Sequence, residues 1–334
     1  MTEPREPSFS TEVQPADTPG ALGQAAGLLA QGHLVALPTE TVYGLAADAR
    51  SPDAVARIFE AKGRPADNPL IVHVDSVGMA RDCVAAWPSA AEKMAEQFWP
   101  GPLSLVLPKA VTVPDIVTAG GATVAVRCPV HPVMRAVLAK CGFPLAAPSA
   151  NRSSRVSPTR AEHVVDQLDG RIPLVLDGGA CNVGIESTVL DLTGDTPILL
   201  RPGMISLGQL QAVLGSVATA KPPAAAEPMK SPGQLQQHYS PRAKLIFVEG
   251  DLAAALGQAG EATHVIAREP APTAWPSERW HRLPDDPDGF ARELYDTLHR
   301  CDRLGAETIL VQALPSAPYW AALHDRLNRA AAGT

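Results

Sequence analysis

GHLVALPTETVYGLAADARSPDAVARIFEAKGRPADNPLIVHV, residues 32–74, reads as strand, polar turn, helix, glycine stop, cationic loop and strand. Leu34 to Leu37 is an apolar run of the length of a buried strand. Pro38 ends it, and Thr39, Glu40, Thr41 and Tyr43 crowd its exit with hydroxyls, a carboxylate and a phenol. Ser51, Pro52 and Asp53 predict a helix start: a cap, a first-turn proline and an acid at the positive end of the helix dipole. Val55, Ile58 and Phe59 give that helix an apolar face, and Gly63 stops it. Lys62 and Arg64 flank the stop, and Asn68 precedes a strand, Leu70 to Val74, that carries His73. A lysine point charge beside an arginine fork suits a polyanion such as a triphosphate. The same cations also suit a plain helix end, with Lys62 stabilising the last carbonyls. Either way Lys62 reads as an end charge and not a core side chain, so Lys62→Ala is expected to spare the fold.

Outward from this stretch, residues 1–17 are rich in Pro, Ser, Thr and Glu and read as a disordered lead. Thr18 to Ala30 reads as a helix capped by Thr18-Pro19. Downstream come helical sequence over 76–99 broken at Pro88, strands at Leu103–Leu107 and Thr123–Val126, a helix from His131 to Lys140, and a strand from Phe143 to Ala147. Ser157-Pro158 is expected to open a helix that runs to Leu168. Strands at 174–176, 187–192 and 198–200 and a helix at 207–214 complete a first α/β unit, residues 18–215. Residues 216–241 are Pro/Ala rich without apolar periodicity and read as a linker, yet Ser231-Pro232-Gly233 and His238-Tyr239-Ser240-Pro241 suggest contact with something. Residues 242–334 alternate strands and helices again, which implies a smaller parallel-sheet unit.

A chain of 334 residues is long enough for about two domains. Its formal net charge of -7 argues against gripping nucleic acid by bulk electrostatics, while leaving room for a local basic pocket. The cysteines, 83, 128, 141, 181 and 301, are odd in number and none are spaced as metal ligands, so they read as reduced thiols. With no apolar signal core and no run of membrane-spanning length, the expectation is a cytoplasmic protein.

Chemistry-bearing residues gather at the expected strand ends: Thr39 to Tyr43, His73, Arg127, Ser149 to Asn151, Ser187 and Arg201. On one mixed sheet they would converge on a concave face, and their cations point to an anionic ligand. Ser149 has no nucleophile elbow, and no phosphate-binding glycine loop of the Walker type is present. Singly, each residue also has a plain reading. His73 suits a satisfied core histidine, Ser149 and Asn151 suit turn formers, Arg127 and Arg201 suit surface strand ends, and Tyr239 suits packing.

PTETVYGL (38–45), KGRPADNPLIVHV (62–74), TVAVRCP (123–129), APSANRSS (147–154), ESTVLDL (186–192) and RPG (201–203), in that order, resemble the YrdC family. SPGQLQQHYSP and the second unit resemble its two-domain form, the threonylcarbamoyl-AMP synthases. The resemblance spans roughly residues 18–330. It implies an open twisted mixed α/β sheet with a cationic cavity, a smaller Rossmann-like α/β domain, and a linker that crosses the active site. It also implies a transferase reaction: L-threonine, bicarbonate and ATP give threonylcarbamoyl-AMP, pyrophosphate and water, for threonylcarbamoyladenosine in tRNA. By the same resemblance Lys62, Arg64, Asn68, Thr123, Ser149, Asn151, Ser157, Arg201 and Tyr239 bind ATP. Thr41, His73, Arg127, Ala147 and Ser187 bind threonine, with Arg127 on its carboxylate. Mg2+ accompanies the nucleotide, and a tRNA-modifying transfer complex receives the product. Ser154-Arg155 departs from the glycine found in many relatives, which implies a stiffer loop and an added positive charge.

Two other readings compete. A carbamoyl-adenylate-forming enzyme of hydrogenase maturation calls for zinc-finger cysteine pairs and an acylphosphatase domain, which this sequence lacks. A non-catalytic RNA-binding module would use the same basic cavity, against the acidic overall charge.

Overall fold

The computed structural model describes residues 10–220, 239–248, 250–273 and 275–332. Most of the expected linker, including Ser231, Pro232, Gly233 and His238, lies outside the described residues. The first unit is built on eleven strands: β1 (Glu12–Pro15), β2 (Val35–Leu37), β3 (Gly44–Asp48), β4 (Ile71–His73), β5 (Leu103–Pro108), β6 (Thr123–Arg127), β7 (Leu145–Ala146), β8 (Leu174–Asp177), β9 (Thr188–Asp191), β10 (Ile198–Arg201) and β11 (Ala218–Thr219). Their order in the sheet is β1-β8-β2-β3-β7-β4-β6-β5-β9-β10-β11. Parallel pairs such as β4 with β6 alternate with antiparallel ones such as β5 with β6, so the sheet is mixed, as the sequence implied.

In the central stretch the helix ends hold, but the reading of strand, polar turn and helix passed over β3, Gly44–Asp48, which is buried and pairs antiparallel with β2. The helix Pro52–Lys62 starts where the Ser51 side chain accepts from the Ala54 N–H, and it ends at Gly63 in the left-handed conformation, φ 60°. Elsewhere three expectations are corrected. Glu12–Pro15, placed in a disordered lead, forms an edge strand parallel to β8. Its neighbouring helix, Ala21–Ala30, is entered through left-handed Gly20 without a side-chain cap; Thr18 contributes only its carbonyl. The segment after Ser157-Pro158 stays extended, and the helix begins at Ala161.

Helices Ala21–Ala30 and Pro132–Cys141 cover one face of β2, β3, β7 and β8. The opposite face carries the main core, against the helices Pro52–Lys62, Ser89–Phe98, Ala161–Leu168 and Leu207–Leu214. On β4 and β6 the alternation of side chains places Ile71 and His73 beside Ala125 and Arg127. That face bears only a small apolar cluster of Ile71, Val106, Ala125 and Val189, and it forms the floor of the hollow described below.

The second unit is a parallel sheet of β12 (Lys244–Val248), β13 (Thr263–Ala267), β14 (Trp280–Arg282) and β15 (Thr308–Gln312), ordered β12-β15-β13-β14. The strand Trp280–Arg282 has no counterpart among the sequence expectations. Helices Pro287–Arg303 and Ala321–Ala331 pack on one side of this sheet, in a core that also takes in Val42, Val156, Ile185 and Tyr239. The two units therefore share buried apolar surface.

Gly184 marks a close approach between them. Its φ is 85°, and a Cβ there would lie 2.3 Å from the Ala291 carbonyl oxygen, on the backbone of the long helix. Gly184→Ala is expected to lower stability by about 2–3 kcal/mol, from strain and overpacking together. Thermal or urea unfolding against the parent protein measures it.

Candidate active site

Thr41, Arg64, His73, Arg127, Ala147, Ser149, Ser187, Arg201 and Tyr239 line one cavity, together with Glu186. Residues from all six sequence motifs, and Tyr239 from the linker, thus meet, through the strand order and not through proximity in sequence. Arg127 and Arg201 are 4% and 3% exposed, which overturns their reading as surface strand ends.

Each buried cation has a local answer. Arg127 pairs with Glu40 at 2.7 Å and donates from Nη1 to Thr41 Oγ1 at 2.8 Å. Arg64 closes its own loop, donating to the Asn68 side-chain oxygen at 2.6 Å and the Pro69 carbonyl at 2.8 Å. Burial pulls its pKa down to about 10. Arg201 donates to the Ser187 carbonyl at 3.0 Å and to Ser187 Oγ at 3.1 Å, and that hydroxyl also meets Ser104 Oγ at 2.8 Å. Lys62 differs from its expected role as an exposed end charge. It is 2% exposed, and its ammonium donates to the carbonyls of Ser149 and Asn151, behind the cavity wall. Burial, with Arg64 adding repulsion, holds its pKa well below the ordinary lysine value.

Asn68 and Asn151 each leave one buried side-chain atom without a partner, Nδ2 and Oδ1 respectively. Asn151 Nδ2 donates to the Arg152 and Arg155 carbonyls, which shapes the loop. Thr123 does not line the cavity. On β6 it shares the face of Arg127 and, through the register Ile71↔Ala125, sits level with the Pro69 carbonyl that Arg64 binds. Ser157 lies beneath the cavity and donates to Glu186 Oε1 at 2.6 Å. Tyr43 turns away; its hydroxyl donates to the Gly179 carbonyl at 2.8 Å. His73 is not a satisfied core histidine, because its buried Nδ1 has no partner. Burial, reinforced by Arg127, drives its pKa to about 3.

The departure at Ser154-Arg155 has a structural role. Ser154 takes φ 65°, the conformation that glycine adopts without cost. Its carbonyl accepts from the Ser240 N–H at 2.9 Å, and Arg155 forms a bridge with Ser240. The loop thus pins the chain that delivers Tyr239, and Arg155 leans on the Pro241 carbonyl, not into the cavity.

Sequence reasoning passed over Glu186, Tyr295 and Arg326. Glu186 receives Ser157, Tyr295 at 3.1 Å and Arg326 Nε at 2.7 Å. Burial alone would raise its pKa, but Arg326 and then Arg201 outweigh that and hold it at about 2. A glutamate directly ahead of the Ser187 strand entry was visible; its partner 140 residues away was not. Elsewhere, His264, His281 and Cys301 cluster in the second unit. The two imidazoles lie within 10° of parallel, with centroids 5.3 Å apart and Nδ1 2.9 Å from Nε2. At that distance one ring donates to the other.

Fold and site together define an α/β protein with a buried cationic hollow. A family model described as "Telomere recombination" (Sua5, YciO, YrdC) matches residues 27–203, and one described as "Threonylcarbamoyl-AMP synthase, C-terminal domain" matches residues 205–332. Threonylcarbamoyl-AMP synthases of Pyrococcus abyssi and Bacillus subtilis are each 41% identical, over 92% and 93% of both chains. The crystal structure of P. abyssi Sua5 complexed with L-threonine superposes with a TM-score of 0.87, at 38% identity and 97% coverage of both chains. The chain belongs to the threonylcarbamoyl-AMP synthase family, in its two-domain form, and is an enzyme.

Two outcomes follow from this geometry. Lys62→Met leaves the Ser149 and Asn151 carbonyls unpaired and is expected to lower stability by about 1–3 kcal/mol, besides impairing activity; chemical unfolding separates the two effects. His73 stays neutral when folded but takes a proton below about pH 6.5 when unfolded, so its contribution falls as pH drops from about 6.5 toward 3. His299 and His281 are shifted the same way, to about 3 and about 4. Urea unfolding between pH 7 and 4.5 should show stability declining with acidity, and less steeply in His73→Gln.

Proposed function

We propose that the hollow joins L-threonine, bicarbonate and ATP into threonylcarbamoyl-AMP, as a nucleotidyltransferase serving threonylcarbamoyladenosine formation in tRNA. The observation that carries this reading is the meeting of Arg64, Arg127 and Arg201 around one cavity with neutral His73. Arg127, with Thr41 and Ser187, suits an amino acid carboxylate and hydroxyl; His73 Nδ1 and the backbone at Ala147 stand beside them. Arg64, Asn68 and Arg201 suit the phosphates, with Lys62 holding the Ser149–Asn151 loop against them. Thr123, Ser149, Asn151 and Ser157 shape the nucleotide end, and Tyr239 closes it.

In this reaction the amine of threonine adds to bicarbonate, losing water, to give a carbamate. A carbamate oxygen attacks the α-phosphorus of ATP, and pyrophosphate leaves. The protein holds the reactants together and offsets their charge, which can remove several kcal/mol from such a barrier, roughly. The cavity as it stands, about 40 Å³, has room for water but not for a nucleotide, so its lining must rearrange to admit ATP. Mg2+ rides on the phosphates: the one carboxylate lining the cavity among the described residues, Glu186, is engaged by Ser157, Tyr295 and Arg326. The setting is cytoplasmic, where a tRNA-modifying complex consumes the adenylate. Among the described residues no helix is long and apolar enough to cross a membrane.

Purified protein should release pyrophosphate from ATP only when threonine and bicarbonate are both present. Release indifferent to threonine defeats the reading. Arg127→Lys loses the planar fork on the carboxylate and is expected to raise the threonine KM about tenfold or more, with a smaller effect on the ATP KM.

A further inference from the structure

A pocket for phosphates ought not to contain a bare carboxylate, yet Glu186 lines this one, and Arg201 is among the charges it feels. Left to itself, a buried carboxylate beside a guanidinium would pair with it and compete with any anionic ligand. The second unit supplies the alternative. Arg326, on the helix Ala321–Ala331, is fully buried and donates from Nε to Glu186 Oε2 at 2.7 Å and from Nη2 to the Glu186 carbonyl at 3.4 Å. Its Nη1 is held by Asp325 at 2.6 Å, which fixes the fork. Its guanidinium carbon lies 5.2 Å from the centroid of the Tyr239 ring, and that ring stacks on Tyr295 at 5.8 Å. Tyr295, on the helix Pro287–Arg303, donates to the same carboxylate oxygen.

We propose that Arg326 is a positioning residue of the nucleotide site: it turns the Glu186 carboxylate toward the second unit and seats Tyr239, leaving Arg201 to face the anionic ligand. The inference rests on the proposed adenylation and assigns the second unit a part in it. Without its helix Ala321–Ala331, the first unit would hold an acid against its own phosphate-binding arginine. The charged and titratable groups around Glu186 are Arg326 and Asp325 on that helix, Arg201 on β10, Tyr295 on the long helix and Tyr239 at the end of the linker.

The test uses the full chain with Arg326→Met, Glu186→Gln and the double variant, measuring KM for ATP and for threonine from pyrophosphate release, and ATP binding by calorimetry. Arg326→Met is expected to raise the ATP KM and dissociation constant about tenfold, with a smaller effect on threonine. In that variant the carboxyl has lost its strongest partner, so its pKa rises. Measured against the parent at the same pH, ATP affinity should then recover as pH falls from 8 toward 5.5, because the parent's carboxylate stays charged throughout. Adding Glu186→Gln should restore ATP affinity to within about twofold of the parent. A merely structural role for Arg326 predicts neither the pH trend nor the rescue, and their absence in folded protein overturns the proposal. Should Arg326→Met alone fail to fold, the double variant, which removes both members of the Glu186–Arg326 pair, carries the test: ATP affinity about tenfold below the parent overturns it. A parent protein that binds ATP but never turns over with threonine refutes the adenylation reading instead, and the binding arm still decides the role of Arg326.

Discussion

Burying several guanidiniums in one hollow is the constraint around which this molecule is arranged. Ions removed from water cost several kcal/mol each, about, and only close, well-oriented partners return that energy. Every arginine of the site has such partners: Glu40 and Thr41 for Arg127, the Asn68–Pro69 loop for Arg64, Ser187 for Arg201. Glu186 and Arg326 close the account between the units. Buried pairs of this kind seldom add net stability over a hydrophobic filling. The anionic ligands proposed for the pocket give such pairs a use that a hydrophobic filling could not serve.

The same constraint ties the second unit to the first. Its parallel sheet carries no phosphate-binding glycine loop after β12. What it presents to the site is a helix face with Arg326 and another with Tyr295, both closed over Glu186. Stacked His163 and His299, 3.9 Å apart, with the Arg160–Asp296 ion pair, extend that contact along the helices Ala161–Leu168 and Pro287–Arg303. The arm bearing Tyr239 is fixed at its base by Ser154 and Arg155. The proposed catalysis by positioning calls for such a rigid surround, because the reactants must be held in a fixed mutual geometry.

Much of the fold was legible because its signals are local. Ser51, Pro52 and Gly63 bound their helix through hydrogen bonds and backbone angles set within a few residues, and the apolar runs of β5, β6 and β8 match their strands closely. The edge strands and Lys62 were missed for one cause, while the buried β3 was missed because its short run of Gly, Leu and Ala follows the polar turn directly. Glu12–Pro15 is polar and becomes a strand only because β8 offers it an edge; Trp280–Arg282 is recruited by β13 in the same way. Lys62 reads as an end charge until the Ser149–Asn151 loop folds over it.

The sequence by itself determined the kinds of group available and their order along the chain: cations at a helix end, hydroxyls after strands, an amide and a histidine, and motifs that mark the family. Those follow from covalent order and short-range geometry. Tertiary structure alone decided which charges meet. Arg127 finds Thr41 from 86 residues away and Arg326 finds Glu186 from 140, because strand order and helix packing brought them together. Electrostatic pairing in a low-dielectric interior depends on distance in space, and sequence separation carries almost no information about it.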